Sequence, residues 1–246
     1  MEAPGVTRVG RFGWKGQHAS LLSFSGDAYL NEMGITTRLF PDEVAKTCNP
    51  TTVSEPNDQP DDDGLDDLDR FARFIRATKA PARDRFLSQS ADAIRGSDVF
   101  DQIGCSTCHV RTLTTAPAGT VINGGTFTIP EALGSKQFHP FSDFLLHDIG
   151  TGDGIVMQVQ EHFGSRVQSL MATTLTASSF QSTQNKMRTP PLWGLRMRTR
   201  LMHDGATFTL SDVILRHAGE AAGASSRYFS LPANDRDAVL TFLKSL

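Results

Sequence analysis

The 246-residue sequence has few cysteines, little net charge and no long apolar run. Three cysteines are too few for the disulfide framework of a small secreted domain. The formal net charge of −3 gives no electrostatic reason to bind nucleic acid or an anionic membrane surface. No segment approaches the roughly 20 apolar residues that a membrane-spanning helix needs. We therefore expect no disulfide scaffold, no membrane span and no nucleic-acid partner.

The remaining composition is that of an ordinary globular protein, with 39% hydrophobic and 21% charged residues. Apolar spacing and capping residues predict five helices and one short hairpin. The helices are predicted over 12–35, 66–82, 90–103, 209–219 and 231–246, and the hairpin over 120–130. Thr209 or Ser211 is the predicted cap of the fourth helix, and Asn234 or Asp235 that of the fifth. The predicted fold class is all-α.

The stretch GCSTCHVRTL, residues 104–113, places Cys105, Cys108 and His109 within five positions. Structural zinc normally needs a second ligand pair, and the sequence has no other CxxC or close histidine pair. A thioredoxin-like dithiol would follow a strand, but a helix is predicted here. A chance match is the third alternative. Covalent haem c attachment accounts for every residue, because the thiols form thioethers and the histidine becomes the proximal iron ligand. Cys48 is interpreted as a plain thiol.

Two residues of the helix before the box predict a close crossing with the C-terminal helix. Gly96 and Phe100 are four positions apart and so lie on one helix face. A small residue and an aromatic there would allow close approach by Phe242 and Leu243. Two helices that meet beside the haem edge are typical of cytochrome c, so the box predicts a cytochrome c-like domain.

The segment RTPPLWGLRMRTRLMHDGATFTLSDVILRHAGEA, 188–221, resembles the C-terminal haem domain of the bacterial di-haem cytochrome c peroxidase and MauG superfamily. In that superfamily a TPxLRN…HDGxxxTLxEAV pattern follows the second haem box. The similarity is closest to the di-haem oxidoreductase, or thiol oxidoreductase, branch, which FSDFLLHDIG at 141–150 also fits. It covers nearly the whole chain except 163–186, which looks like an inserted loop. Thiol chemistry at the box is not expected, because thioether sulfurs cannot form a disulfide.

The resemblance implies a distal haem ligand eight residues after the Thr of the TL pair. From Thr209 this register leads to His217, which would stand in a helix one turn after Val213 and Ile214. The prediction is iron ligation by His109 and His217, with a lower reduction potential than a methionine ligand would give. The weaker alternatives are Met157, Met171, Met187, Met197 and Met202.

Charged residues around these motifs have further predicted roles. One or two of the arginines in this region, with Arg198 as the chosen candidate, would pair with haem propionates. The region's arginines are Arg188, Arg196, Arg198 and Arg200. The His-Asp pairs of LMHDG and LLHDIG are expected to make only local hydrogen bonds in turns. The family's inter-haem calcium is a further expectation, although its carbonyl positions fall near Arg198 and Arg200, where other members have Thr and Pro.

The stretch FGWKGQHASLLSFSGDAYLNEMG is similar to the family segment that follows the first haem box. The resemblance implies that Glu32 is the distal acid at the peroxidatic haem and that Trp14 lies on the electron route between haems. A carboxyl group at that position would move a proton during peroxide cleavage. From the residues alone, Glu32 is a helix-end surface carboxylate and Trp14 an ordinary core residue.

The family pattern has two CxxCH boxes, whereas this sequence has one. The family also implies attachment of haem c on the periplasmic side, yet MEAPGVTRVGRFGWKG lacks the layout of a secretory signal. We therefore expect the C-terminal portion of a longer protein. Residues 1–82 would be part of an incomplete N-terminal haem domain, and 83–246 a cytochrome c-like domain.

The predicted function is that of a haem c-dependent oxidoreductase of the di-haem peroxidase type. This chain would carry the electron-transfer haem, accept electrons from a small donor protein and feed a peroxidatic haem that acts on a peroxide-type substrate. One alternative is a stand-alone mono-haem electron-transfer cytochrome without catalysis. The other is a fragment that never receives haem.

Overall fold

The computed structural model describes residues 8–42, 59–156 and 183–246, together with the backbone of 162–163 and 166–167. The described helices are α1 (Leu21–Met33), α2 (Asp67–Ala77), α3 (Ala91–Gln102), α4 (Leu210–Leu215), α5 (Ala222–Phe229) and α6 (Ala233–Lys244). The strands are β1 (Leu113–Thr114), β2 (Val121–Ile122), β3 (Phe127–Thr128), β4 (Gln137–Phe138), β5 (Leu146–Asp148), β6 (His162–Phe163), β7 (Arg166–Val167) and β8 (Lys186–Arg188). None of the described helices is long and apolar enough to cross a membrane.

The strands form small antiparallel pairs beside the helices: β1 with β4, β2 with β3, β5 with β8, and β6 with β7. The predicted hairpin over 120–130 is confirmed, with Val121 opposite Thr128 and Ile122 opposite Phe127. The pairing of β5 with β8 joins segments about 40 residues apart in sequence, which local patterns do not predict. The chain is therefore mainly helical with small sheets rather than purely all-α.

Local capping sets several helix ends where the sequence predicts them. The hydroxyl of Ser90 accepts the Ala93 N–H at the start of α3, and that of Thr209 accepts the Asp212 N–H at the start of α4. Gly34 ends α1 in the left-handed region at φ 70°, which glycine adopts without steric cost. The start of α1 is later than predicted, because the hydroxyl of Ser20 caps the helix there.

Two further predictions about helix ends are wrong. Helix α6 begins after Pro232, with no side-chain cap, and Asn234 and Asp235 lie inside it. The Asp235 carboxylate accepts a hydrogen bond from Arg95 at 2.5 Å instead of capping the helix. Helix α4 ends at Leu215, so His217 lies beyond it rather than within it. The His217 N–H still bonds the Ile214 carbonyl at 3.1 Å, which fixes the turn that carries it.

The chain divides into two compact units. Unit 1 comprises Met1–Lys79, Pro117–Gly134 and Gln158–Ser178, and unit 2 comprises Ala80–Ala116, Ser135–Met157 and Ser179–Leu246. Among the described elements, unit 1 contains α1, α2 and the β2–β3 hairpin, while α3 to α6 and the CxxCH box belong to unit 2.

In unit 1, α1 packs against α2 through a small apolar core. Leu30, Leu68 and Ala72 are buried there. The Arg38 guanidinium forms ion pairs with the carboxylates of Asp66 and Asp69. Asp66 is almost fully buried. The phenylalanines of α2 do not join this core: the side chain of Phe74 is 66% exposed. The buried face of α2 is therefore that of Leu68 and Ala72.

In unit 2, α3 crosses α6 at the predicted position. A Cβ atom at Gly96 would lie 1.9 Å from the Ala238 carbonyl oxygen, so only glycine allows this approach. The rings of Phe100 and Phe242 meet edge to face, with centroids 5.3 Å apart. Leu243 and Leu246 complete the α6 side of the same core. The crossing predicted from the sequence is confirmed.

We expect Gly96→Ala to destabilise unit 2 by about 3 kcal/mol, because the new methyl group would push two helix backbones apart. The measurement is chemical denaturation followed by circular dichroism. The matched control is Gly223→Ala in α5, where the added Cβ would meet only the movable end of the Arg227 side chain at 3.3 Å. The control should change stability by less than about 1 kcal/mol. Equal effects of both changes would contradict the close-approach argument.

Candidate functional site

The CxxCH box follows α3 through one obligatory glycine. Gly104 has φ 88°, and Cys105–Thr107 then form a single 3₁₀ turn. Arg227 stabilises this junction, since its Nε donates to the Ile103 carbonyl at 2.8 Å. The Cys105 side chain packs against the aromatic core of unit 2. The end of α3 thus sets the position of the first cysteine.

The two cysteines of the box are free thiols of low reactivity. Burial raises the pKa of Cys105 to about 11 and also raises the pKa of Cys108. Both thiols are therefore protonated at neutral pH in the haem-free chain. Redox-active dithiols need a lowered pKa and a thiolate. The surroundings of Cys105 and Cys108 do not favour dithiol chemistry.

His109 is held as a neutral imidazole with one nitrogen available. Its Nδ1 lies 2.9 Å from the carbonyl oxygen of Phe141, and because a carbonyl only accepts, Nδ1 donates its hydrogen. Burial lowers the pKa of His109 to about 4. The lone pair on Nε2 is thus available to a metal, and the backbone carbonyl orients the ring.

Phe141 is a site residue that the sequence analysis missed. Its φ of 51° is in the left-handed region, which is strained for a phenylalanine. Its ring packs against Phe242 with a centroid distance of 5.8 Å, while its carbonyl accepts the His109 hydrogen bond. The next two residues run along the box, with Ser142 N–H bonded to the Val110 carbonyl and Asp143 N–H to the Cys108 carbonyl. No local signal marks a phenylalanine for positive φ.

His217, the predicted distal ligand, is anchored in the same way. Its Nδ1 lies 2.7 Å from the Val213 carbonyl oxygen, which leaves Nε2 as the ligand atom. Repulsion between the imidazoles of His109 and His217 contributes, after burial, to the lowered pKa of His109. The charge of His217 therefore influences the protonation of His109. Their binding of iron stays a prediction.

The HDG turn supports the residue that precedes His217. Both carboxylate oxygens of Asp204 accept hydrogen bonds from the Arg216 guanidinium, which also contacts the hydroxyl of Thr207. The hydrogen bond from Arg216 is the main cause that lowers the pKa of Asp204. The Asp204 carboxylate also accepts the Ala206 N–H at 3.0 Å. The local hydrogen bond was predicted, whereas the tie to the end of α4 was not.

His147 of the LLHDIG motif also forms a hydrogen bond with a residue distant in sequence. Its Nε2 lies 2.8 Å from the Asp143 carboxylate, and its Nδ1 lies 2.8 Å from the carboxylate of Glu220. The expectation of purely local bonds is therefore wrong. The ligand atoms of Cys108, Asp143 and His147 lie within 4.8 Å of one another. They could hold a metal only while Cys108 has a free thiolate, because thioether formation removes that ligand.

The arginines of 188–200 have different surroundings. Arg198 is exposed, and its Nη2 lies 3.3 Å from the Pro191 carbonyl oxygen. Arg188 of β8 is partly buried, and its guanidinium carbon lies 5.6 Å from the ring centroid of Phe144. Burial lowers the pKa of Arg188. Pairing of Arg198 with a haem propionate therefore stays a prediction. Arg188 is the more buried of these two arginines.

Two arginines lie in the segment for which the resemblance implies a calcium ion. The guanidinium of Arg198 donates to the Pro191 carbonyl, and that of Arg200 donates to the Gly205 carbonyl at 3.4 Å. Calcium is bound by several carbonyl or carboxylate oxygens. The calcium site stays a prediction.

The predicted catalytic residues Glu32 and Trp14 lie in unit 1. Glu32 is exposed near the end of α1. The Trp14 side chain is 47% exposed, so it is not the ordinary core residue that composition suggests. Neither observation tests a catalytic role. Among the methionine alternatives, Met197 is 75% exposed and Met187 is buried in β8, whereas Met157 and Met171, like Cys48, lie outside the described residues.

The comparison with protein-family models agrees with the motifs. The family model described as di-haem oxidoreductase, putative peroxidase, matches residues 2–246. The chain is similar to a solved structure of Kuenenia stuttgartiensis hydrazine synthase pressurized with xenon, with 22% identity and a TM-score of 0.41, over 73% of this chain and 55% of that chain. It is also similar to a MauG-like protein associated with microbial copper homeostasis, with 20% identity and a TM-score of 0.40, over 73% and 52%.

The chain thus spans about half the length of these two solved proteins. A search of curated proteins found no match. The family model is the decisive finding, because it includes the CxxCH box, both histidines and the HDG turn. Since this model extends from residue 2 to the last residue, the chain belongs to the di-haem oxidoreductase, putative peroxidase family of haem-dependent oxidoreductases.

Proposed function

We propose that this chain binds one haem c covalently and carries the electron-transfer haem of a di-haem peroxidase-type oxidoreductase. Cys105 and Cys108 would form the thioethers, and His109 and His217 would be the axial ligands. The observation that carries the proposal is the matched anchoring of the His109 and His217 imidazoles. Each donates from Nδ1 to a backbone carbonyl, so each presents Nε2 as a ligand. This donor set, beside two free thiols, fits haem c.

The arrangement favours electron transfer over binding of a substrate at iron. Haem c supplies one-electron transfer when it is bound, and two histidine ligands leave no axial position for peroxide. The protein contributes rigidity, because both imidazoles are oriented by main-chain carbonyls. The core of Phe100, Phe141 and Phe242 beside the box excludes water from the proximal side. Both effects favour electron transfer without rearrangement of the ligands.

The remaining catalytic steps would need a second haem, bound by a partner domain. We propose that Glu32 moves a proton during peroxide cleavage at that haem and that Trp14 lies on the electron route. Their exposure in unit 1 is compatible with contact to such a domain. A small electron-donor protein would reduce the haem of this chain. Covalent haem c attachment and the family both support a periplasmic location.

The test is expression with an export signal and the haem c maturation machinery. We expect a pyridine haemochrome spectrum of haem c with one haem per chain. The reduced holo-chain should exchange electrons with a soluble c-type cytochrome at least about tenfold faster than it reacts with hydrogen peroxide, because no axial position is open.

Two results would contradict the proposal. Absence of a haem c band under these conditions would favour a fragment that never receives haem. Rapid peroxide turnover by the chain with its single haem would show that the division of labour is wrong. To test for a stand-alone cytochrome, a separate haem domain with its own CxxCH box is added. Failure of this partner to raise peroxide turnover would favour that alternative.

A further inference from the structure

An unusual pair of charged hydrogen bonds links the two sides of the proposed haem site. The imidazole of His147 bonds Asp143 through Nε2 and Glu220 through Nδ1, each at 2.8 Å. We call His147, Asp143 and Glu220 the bridge. Asp143 lies four residues from His147 in sequence, whereas Glu220 lies 73 residues away. The bridge therefore joins two segments that are distant in sequence.

At the Asp143 end, the bridge rests on the proximal side of the site. The Asp143 N–H donates to the Cys108 carbonyl at 2.8 Å. Two residues earlier, the Phe141 carbonyl accepts the hydrogen bond from Nδ1 of His109. Ser142, between them, is fully buried, and its hydroxyl donates to the Thr189 carbonyl at 2.7 Å. This end is fixed to the box by main-chain bonds.

At the Glu220 end, the bridge rests on the turn that follows His217. The second carboxylate oxygen of Glu220 accepts the Asp148 N–H at 3.0 Å. The Ala218 N–H donates to the Ile149 carbonyl at 2.9 Å. Gly219 has φ 51°, and a Cβ there would lie 2.4 Å from the Asp148 carbonyl oxygen. The turn is thus pressed against β5, with Glu220 as its side-chain contact to His147.

The charges of the bridge are complementary. Carboxylate oxygens only accept, so hydrogen bonds from both ring nitrogens require the protonated imidazolium. Although burial opposes it, the hydrogen bonds to Glu220 and Asp143 raise the pKa of His147. The hydrogen bond from His147 in turn lowers the pKa of Glu220. The positive charge of Lys186 lowers the pKa of Glu220 as well. Charge-assisted hydrogen bonds of this kind are stronger than neutral ones.

We propose that His147 is a positioning residue: through Asp143 and Glu220 it ties the turn after His217 to the proximal box and so holds His217 on the haem iron. The inference rests on the proposed function, since it assumes a haem between His109 and His217. The inference goes beyond the proposed function, because it assigns control of the sixth coordination position to His147, Asp143 and Glu220, none of which is a proposed iron ligand. A chain without the bridge should release His217 and expose an axial position.

The experiment compares the full chain with His147→Leu, Glu220→Gln and the double variant. His139→Leu is the matched control, because His139 is an exposed histidine of unit 2 whose Nδ1 bonds the Thr112 hydroxyl at 2.9 Å. The first readout is amide hydrogen exchange of 217–221 in the haem-free chain. The second is the electron paramagnetic resonance spectrum and carbon monoxide binding of the holo-chain.

In the haem-free chain, we expect His147→Leu to accelerate exchange at 217–221 by about tenfold, the effect of one hydrogen bond to a charged group. In the holo-chain, the fraction that binds carbon monoxide should rise by a similar factor at the expense of the low-spin signal. Glu220→Gln keeps the shape of the side chain and should give a smaller change in the same direction. The double variant should show the same exchange rate and the same carbon monoxide binding as His147→Leu, because both substitutions remove the same interaction between His147 and Glu220.

Failure of this inference can be told apart from failure of the proposed function. If the wild-type chain takes up no haem c, the proposed function fails and exchange at 217–221 still tests the bridge. If haem c is attached but His147→Leu and Glu220→Gln keep the wild-type low-spin signal, the bridge does not position His217. Equal effects of His139→Leu and His147→Leu would likewise overturn the inference.

Discussion

Replacement of both box cysteines, Cys105→Ser and Cys108→Ser, is expected to abolish covalent haem attachment completely. Serine keeps the size of the side chain but cannot form the thioether. The rest of the site should survive, because His109 is oriented by the Phe141 carbonyl rather than by either sulfur. The measurement is the haem stain of the denatured chain after co-expression with the maturation machinery, together with the pyridine haemochrome spectrum.

The matched control for this experiment is Cys48→Ser, because the sequence predicts that Cys48 is a plain thiol outside the haem box. Full haem content in this variant, beside none in the double box variant, would assign attachment to Cys105 and Cys108. Each single box variant should retain at most one thioether. Retention of covalent haem by the double variant would refute the haem interpretation of the box.

His217→Met is expected to raise the reduction potential by roughly 100 mV or more, well within the ~0.8 V range that axial ligands control. A thioether ligand favours the ferrous state more than imidazole does. The low-spin signature of two histidine ligands should disappear as well. The measurements are a redox titration followed by visible absorption and electron paramagnetic resonance of the oxidised chain.

His217→Ala complements this variant, because alanine cannot replace the ligand and should leave an open axial position. His139→Met serves as the control, since His139 bonds the Thr112 hydroxyl rather than a site residue. An unchanged two-histidine signature in both His217 variants would remove His217 from the ligand set. One of the remaining histidines would then have to be the distal ligand.

These experiments separate attachment, ligation and positioning of the haem. In the proposed function, the cysteines would determine whether haem is retained, His217 would determine the reduction potential, and the bridge of His147 would determine how firmly the distal ligand is held. His147 belongs to LLHDIG, and Glu220 lies near the end of the 188–221 segment that contains the HDG turn, so the bridge links two segments that resemble the family. A similar link joins Asp204 of the HDG turn to Arg216, the residue before His217.

Local rules predicted the parts of the fold that depend on neighbouring residues. Ser90 and Thr209 cap helices through their own hydroxyls, and Gly34 ends a helix by adopting positive φ. The Asn123-Gly124 pair likewise marked the hairpin between β2 and β3. Gly96 also predicted a long-range contact, because the lack of a side chain at that position of α3 indicated a close crossing with α6. Each of these signals involves a conformational preference that a single residue carries.

The predictions that failed required knowledge of distant partners. Asp235 does not cap α6, because the neighbouring helix supplies Arg95 as its partner. The end of α4 at Leu215 placed His217 in a turn rather than a helix.

The sequence by itself determined the chemistry of this protein: a CxxCH box with haem-binding residue types, two candidate histidine ligands, and helix signals on either side. Only the tertiary structure decided how these groups are oriented. A strained Phe141 aims its carbonyl at His109, and the bridge connects residues 73 positions apart. The physical reason is that ligand identity is a property of single side chains. Orientation depends on which backbone carbonyls and carboxylates the fold brings to them.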